Sequence, residues 1–191
     1  KLRGVESFGM LCSAKELGTD ADASGLLELP GDAPTGMGFA AYLGLPDAII
    51  ELSLTPNRSD CLGMRGLAME VAAEFGSAAK LPAVAPVAAA HAEELQISLV
   101  PGAGCPRYCG RVINDLDSAA RTPGWMVERL RRAGLRPISA LVDVTNYVML
   151  ELGQPLHAFD DAELSGAVHV RLPRPGEKLL LLNEQTVTPT A

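Results

Sequence analysis

Thr145, Asn146 and His157 are the residues whose types and placement best suit chemistry in this 191-residue chain. Thr145 and Asn146 stand side by side in a run that otherwise reads as an apolar helix. Two polar side chains there lower helix propensity unless they have hydrogen-bonding work elsewhere. His157 follows in Leu156-His157-Ala158-Phe159-Asp160. Only Gln154 and Pro155 separate that piece from Gly153, so the chain can turn back toward the helix it has left. A hydroxyl, a carboxamide and an imidazole so placed could hold and orient a polar ligand. The plainer alternative is a satisfied core histidine and two side chains bonded back to their own helix. Composition alone favours that alternative, because lone buried polar residues are usually just satisfied.

Other kinds of site have less support. The sequence has no GxGxxG after a strand, no GxxxxGK[ST] phosphate loop, no HExxH and no Gly-x-Ser-x-Gly elbow. Asp60, Asp143 and Asp160 lack the spacing of a carboxylate pair, and Asp60 is better explained as a helix cap. Cys12, Cys61, Cys105 and Cys109 form no disulfide framework. Cys105 and Cys109 have no second Cys/His pair at zinc spacing, so no metal is expected and buried free thiols are the simpler reading. Free thiols in a chain long enough to bury a core suit a reducing, cytoplasmic setting.

The elements that must position the candidate residues read as mixed α/β. Ser139 suits the cap of the helix that carries Thr145 and Asn146, with Leu141, Val144, Val148 and Leu152 on its inner face and Gly153 at its stop. Thr122-Pro123 opens the helix before it, Thr as cap, with Trp125, Met126, Leu130 and Ala133 buried and Gly134 at the end. Asp60 is expected to cap an earlier helix through Met64, Leu67, Val71 and Phe75, closed by Gly76. Strands are expected at Ala48 to Leu54, Leu95 to Val100, Tyr108 to Ile113, His169 to Leu172, Lys178 to Leu182 and Gln185 to Thr188. Pro175-Gly176-Glu177 and Asn183-Glu184 make turns, and the Ala/Pro-rich stretch Ser77 to Glu94 reads as an extended connector. Residues 1–45, with strand-like pieces at Gly9 to Ser13 and Gly25 to Asp32, suggest the end of a small β-barrel, and residues 46–191 a second domain.

Net charge is −7 with a pI near 5.0. Such a balance argues against binding nucleic acid mainly through phosphate neutralisation, though not against binding one folded RNA at a few places. Basic residues concentrate once, at Arg129, Arg131, Arg132 and Arg136, and a solvated helix face with Glu128 paired to Arg132 is the favoured reading of them. No apolar run approaches the roughly 20 residues needed to cross a bilayer, and no membrane partner is expected. The chain starts Lys-Leu-Arg-Gly, without an initiator Met or an apolar signal core, and is expected to be a piece of a longer protein.

The run Val142-Asp143-Val144-Thr145-Asn146-Tyr147-Val148-Met149-Leu150-Glu151-Leu152-Gly153-Gln154-Pro155-Leu156-His157-Ala158-Phe159-Asp160 resembles, almost letter for letter, the editing domain of the bacterial phenylalanyl-tRNA synthetase β-subunit family. So do Thr122-Pro123-Gly124-Trp125-Met126, Arg129 to Ile138, Arg107 to Ile113 and Leu54 to Leu62. Leu2-Arg3-Gly4-Val5-Glu6-Ser7 with Gly9 to Ser13 is similar to the last part of that subunit's OB-fold tRNA-binding domain. The resemblance implies an OB-type tail in residues 1–45 and, in 46–191, the first part of an editing domain that is incomplete at its C-terminus.

The same resemblance implies the division of labour. The holoenzyme, two α and two β subunits, attaches phenylalanine to its tRNA with ATP and magnesium, at a site on the α subunit. An apolar pocket cannot strongly reject an isostere that adds one hydroxyl, so tyrosine is misattached. The editing domain then hydrolyses the wrong ester. Residues matching Thr145, Asn146 and His157 line its pocket: Thr145 and Asn146 would orient the ester and the attacking water, and His157 would position the ester or the terminal ribose. General-base action by His157 is not required, because ester hydrolysis can use the substrate's own groups. The family's glutamate that reads the tyrosine hydroxyl lies downstream of the signature, in a Gly-rich stretch this chain does not reach. No cofactor is therefore expected on this piece, and alone it is expected neither to aminoacylate nor to edit selectively. A non-catalytic tRNA-binding module, or a purely structural brace, are the competing functions.

Overall fold

The computed structural model describes residues 3–19, 24–181 and 183–190. The chain divides into two compact units, Lys1–Ile50 and Glu51–Ala191.

In the first unit the regular element among the described residues is a single short helix, α1 (Phe39–Tyr42). The strand-like pieces expected at Gly9 to Ser13 and Gly25 to Asp32 are not strands. Ser13 and Glu16 bound the first of them. The Glu16 carboxylate accepts from the Ser13 amide at 2.8 Å and hydroxyl at 3.0 Å, and the Glu16 amide donates back to Ser13 Oγ at 3.3 Å. This reciprocal pairing, the S-x-x-E capping box, turns the chain at the end of the first piece. Ser13's amide holds the Glu16 carboxyl below the usual carboxylate range. One backbone bond, Leu27 N–H to Cys12 O at 2.9 Å, joins the two stretches. Lys1, Leu2 and Asp20 to Ala23 lie outside the described residues.

The second unit opens with a 3₁₀ turn, Ser59–Leu62, and α2 (Met64–Glu74). Asp60 is not the cap it was expected to be; Gly63 occupies the N-cap position, with no side-chain cap bond. The Arg58 guanidinium has taken Asp60 instead, donating to it at 3.1 and 3.0 Å and to Glu70 at 2.9 and 2.7 Å. A two-pronged bond to a cation outweighs a single bond to a helix amide. Those bonds hold both carboxyls below their ordinary range. Cys61 beneath them is 4 % exposed, and burial pushes its thiol up. Ala72 is the buried residue of α2, while Met64, Val71 and Phe75, expected on its inner face, are exposed. Cys61 thus fits the expectation of buried thiols; Cys12 and Cys105 are half-buried and Cys109 is exposed, and all four are free.

Residues 48–54 form no strand, and 77–94 run without helix or strand, as their prolines require. β1 (Ile97–Leu99) follows. It pairs in parallel with β2 (Val168–Val170), in register Ile97↔Val168, Ser98↔His169 and Leu99↔Val170. Parallel strands need a long crossover. Here the crossover carries α3 (Gly124–Arg132) and α4 (Ala140–Leu152), which pack on each other. The expected strand Tyr108 to Ile113 is irregular; Gly110 nevertheless lies against the Ile97 and Leu95 side chains, where a Cβ would sit 2.8 Å from Ile97 Cδ1. The last elements are β3 (Leu179–Leu180) and β4 (Thr186–Val187), an antiparallel hairpin closed by Glu184 N–H to Leu181 O at 3.0 Å. Leu182, the expected end of the first of these strands, lies outside the described residues. The class is mixed α/β, with small sheets.

The turn at Pro175-Gly176 is held by charge. Arg171 grips Glu177 with two bonds, 2.8 and 2.6 Å, and the Arg174 amide adds a third at 2.8 Å. Together, Arg171 first, they lower the Glu177 carboxyl from 4.5 to about 2. A carboxyl depressed by folding stabilises the turn fully above its unfolded value and loses that contribution as pH falls through the folded one. An NMR titration should therefore place the Glu177 side-chain midpoint near 2, with the Arg174 amide following it. A midpoint at the ordinary 4.5 would refute the grip.

Candidate functional site

α4 is built as its residues require. Ser139 is its N-cap, accepting from the Val142 amide, and Gly153 ends it in the left-handed conformation at φ 74°. Its buried face differs from the one expected. Leu141 and Val144 are exposed, whereas Asp143 is 1 % exposed. A carboxylate enters a core only when its oxygens are bonded. One oxygen of Asp143 accepts from the Thr122 hydroxyl and the other from the Ile138 amide at 2.8 Å. Thr122 is therefore not the cap of α3; Pro123 holds that position and Thr122 reaches across to α4.

α3 buries Met126 and Leu130, as expected, but Trp125 is 53 % exposed and Ala133 lies in the open. Trp125 instead meets Tyr147 of α4 edge-on, ring centroids 5.2 Å apart, and the Arg129 guanidinium lies over both rings. Arg129 also donates to the Tyr147 hydroxyl, which donates to Glu151 at 3.0 Å. Glu128 pairs with Arg131 at 2.8 Å and with Arg132 at 3.7 Å. The self-paired helix face accounts for Arg131 and Arg132, whose charge Glu128 already meets, whereas Arg129 is engaged by the two rings and the Tyr147 hydroxyl.

Thr145 and Asn146 lie half-buried on α4, between the Asp143 and Tyr147 contacts. Thr145 Oγ1 donates to Val142 O at 2.8 Å, the back-bond anticipated for it. With its one proton so used, the hydroxyl can only accept from a ligand or water. Among the described residues no hydrogen bond engages the Asn146 carboxamide. His157 is exposed, its ring 6.1 Å from that of Phe159, and no hydrogen bond joins it to Thr145 or Asn146. The fold thus places two of the three predicted residues on one turn and the third on the strand-like piece after Gly153.

The three aspartates once conceivable as a catalytic pair are each engaged separately: Asp60 on Arg58, Asp143 in the core, and Asp160 capping a short 3₁₀ turn through the Ala162 amide. Ser98 and His169, opposite one another in the parallel pair, approach to 2.6 Å. That is an exposed cross-strand contact. An open groove of about 470 Å³ is lined by Glu93, Glu94, Asp161 and neighbours, and contains none of the predicted residues. Among the described residues no group of His, Cys, Asp or Glu is placed to hold a metal, and no helix is long and apolar enough to cross a membrane.

Sequence reasoning missed the role of Asp143 and Thr122. The available signal was an acidic residue in the first turn of an apolar helix, two and three residues ahead of the polar pair. Gly63 and Gly66 were also missed. A Cβ on Gly63 would meet Gly153 N at 2.7 Å, so α2 and the end of α4 approach backbone to backbone there.

Residues 104–191 match a recognised domain class, the B3/4 domain. Over its whole length the chain is also similar to β subunits of phenylalanine–tRNA ligase, as the sequence resemblance indicated. It is 59% identical over 191 residues to that subunit of Aromatoleum aromaticum and 60% over 187 residues to that of Dechloromonas aromatica. It is 60% identical over 188 residues to that of Xanthomonas campestris pv. campestris. These alignments cover 98–100% of the chain, and the chain spans 24% of each relative's length.

Proposed function

We propose that this chain works as part of a phenylalanine–tRNA ligase β subunit, and that its second unit contributes one wall of a site that hydrolyses tyrosine wrongly esterified to the phenylalanine tRNA. The observation that carries the reading is the identity of about 60% along the whole chain to subunits of that name. Residues 1–45 would be the end of an OB-type tRNA-binding barrel and 46–191 the beginning of the editing domain. The partners are the α subunit, in a tetramer of two α and two β, and the tRNA, in the cytoplasm. ATP and magnesium serve the ligation. The residues present here do not fit either: there is no phosphate-binding loop and, among the described residues, no metal-holding group.

The chemistry follows from what each side chain has left to offer. Thr145, its proton committed to Val142, accepts a hydrogen bond from the attacking water or the aminoacyl ammonium. Asn146 offers both an amide donor, suited to the ester carbonyl as it becomes an oxyanion, and an oxygen acceptor for water. His157, on the segment after α4, holds the ester or terminal ribose. Discrimination of tyrosine then needs a further group that reads the phenol.

In the full-length enzyme, Asn146→Ala should slow hydrolysis of tyrosyl-tRNA by about 100-fold, the usual effect of losing one oxyanion donor. His157→Ala should raise KM more than it lowers kcat, and neither should alter aminoacylation. If both variants hydrolyse mischarged tRNA normally while tRNA affinity falls, the region is a binding module. If nothing but stability changes, it is a brace.

A further inference from the structure

We propose that Asp143 is a positioning residue for the editing site, acting through the Thr122 hydroxyl and the Ile138 amide to set the turn of α4 that carries Thr145 and Asn146. The inference rests on the reading of those two residues as editing groups.

Asp143 is one of the two largest fully buried side chains, with Leu130. Both of its oxygens are used, one on the segment before α3 and the other on the segment before α4. Hydrogen bonds are directional, so two donors converging on one planar carboxylate fix both the rotation and the axial position of the helix. Apolar contact fixes neither so tightly, and the apolar residues flanking the polar pair are poorly buried: Leu141, Val144 and Met149 are all exposed. Thr145 and Asn146 follow Asp143 within one turn of about 3.6 residues, so the helix backbone passes its placement to them directly. On the far side of the pair, the contacts of half-buried Tyr147 with Trp125 and Arg129 hold the same turn to α3, but through two exposed partners. The buried anchor is the stiffer of the two.

Asp143→Asn keeps the volume and one acceptor. Thr122→Val removes the hydroxyl at constant shape, and Thr122→Ser restores it. In the full-length tetramer each of the first two should lower kcat for tyrosyl-tRNA hydrolysis by at least about 10-fold, since a misplacement near 1 Å can cost 100-fold. KM and aminoacylation should stay within error, and Tm should fall by no more than a few degrees, the cost of one lost buried hydrogen bond. The double variant should be no slower than Asp143→Asn alone, because both break one link, and Thr122→Ser should hydrolyse at the parent rate. Parent-rate hydrolysis by Asp143→Asn would overturn the inference. So would losses that parallel a fall in Tm and in aminoacylation, which would make the pair merely structural. Asn146→Ala measured beside them separates the two claims. If it too hydrolyses normally, the editing assignment fails; if it alone is slow, only the positioning role does.

Discussion

Gly66→Ala should destabilise the second unit by about 3 kcal/mol, the upper range for overpacking a tight contact. At an ordinary interior helix position the same change would stabilise by about 1 kcal/mol, because alanine is the better helix former. The sign reverses here because a Cβ on Gly66 would stand 1.8 Å from the Asp60 carbonyl oxygen and 2.5 Å from its carbon. Those are backbone atoms of the Ser59–Leu62 turn and cannot rotate away. The turn must lift as a whole, taking with it the Asp60 end of the Arg58 clasp and uncovering Cys61. Urea unfolding of the 191-residue chain should show a lower midpoint at unchanged slope, and the Cys61 thiol should react faster with a water-soluble reagent. A raised midpoint would mean that the turn does not lie over α2.

Leu130→Ala carries the second large effect, a loss of about 3 kcal/mol within the 2–5 range for buried leucine truncations. Leu130 is 0 % exposed on α3, and Met126 at 7 % is its buried neighbour on the same helix. The helix pair has few other closed apolar positions, so the cavity has little around it that can collapse inward. A loss of that size is a large fraction of the 5–15 kcal/mol that domains typically have. Trp125→Ala, on the same helix but 53 % exposed, should cost clearly less. Equal losses at the two positions would show that α3 does not face α4 through Leu130.

Much of the second unit was legible in its local signals. Ser139 and Gly153 mark α4 because a hydroxyl that accepts from a free amide and a residue that tolerates positive φ each act within one turn. Gly134, at φ +81, ends α3 for the same reason. The connector 77–94 and the turn at Asn183-Glu184 follow from proline and from backbone reversal over a few residues. Where the prediction failed, a distant partner outbid a local one. Asp60 left its helix for Arg58, and Thr122 left α3 for Asp143. β1 found its ladder partner far along the chain, at Val168–Val170, while Tyr108 to Ile113 forms no strand. Ser13 and Glu16 are the exception, a local capping pair that was present in the sequence and went unread.

The sequence by itself determined the resemblance to phenylalanine–tRNA ligase β subunits, the helix that bears Thr145 and Asn146, and the mixed α/β class. A run of letters shared with a family carries those facts whatever the packing, and caps and stops act over a single turn. Only the tertiary structure decided which face of α4 is buried, that Asp143 is its anchor, that Thr145 can accept but not donate, and that His157 stands apart from the pair. Each of those depends on which donor reaches which acceptor across the fold, and periodicity is blind to that because a buried carboxylate and an exposed valine are distinguished only by their neighbours.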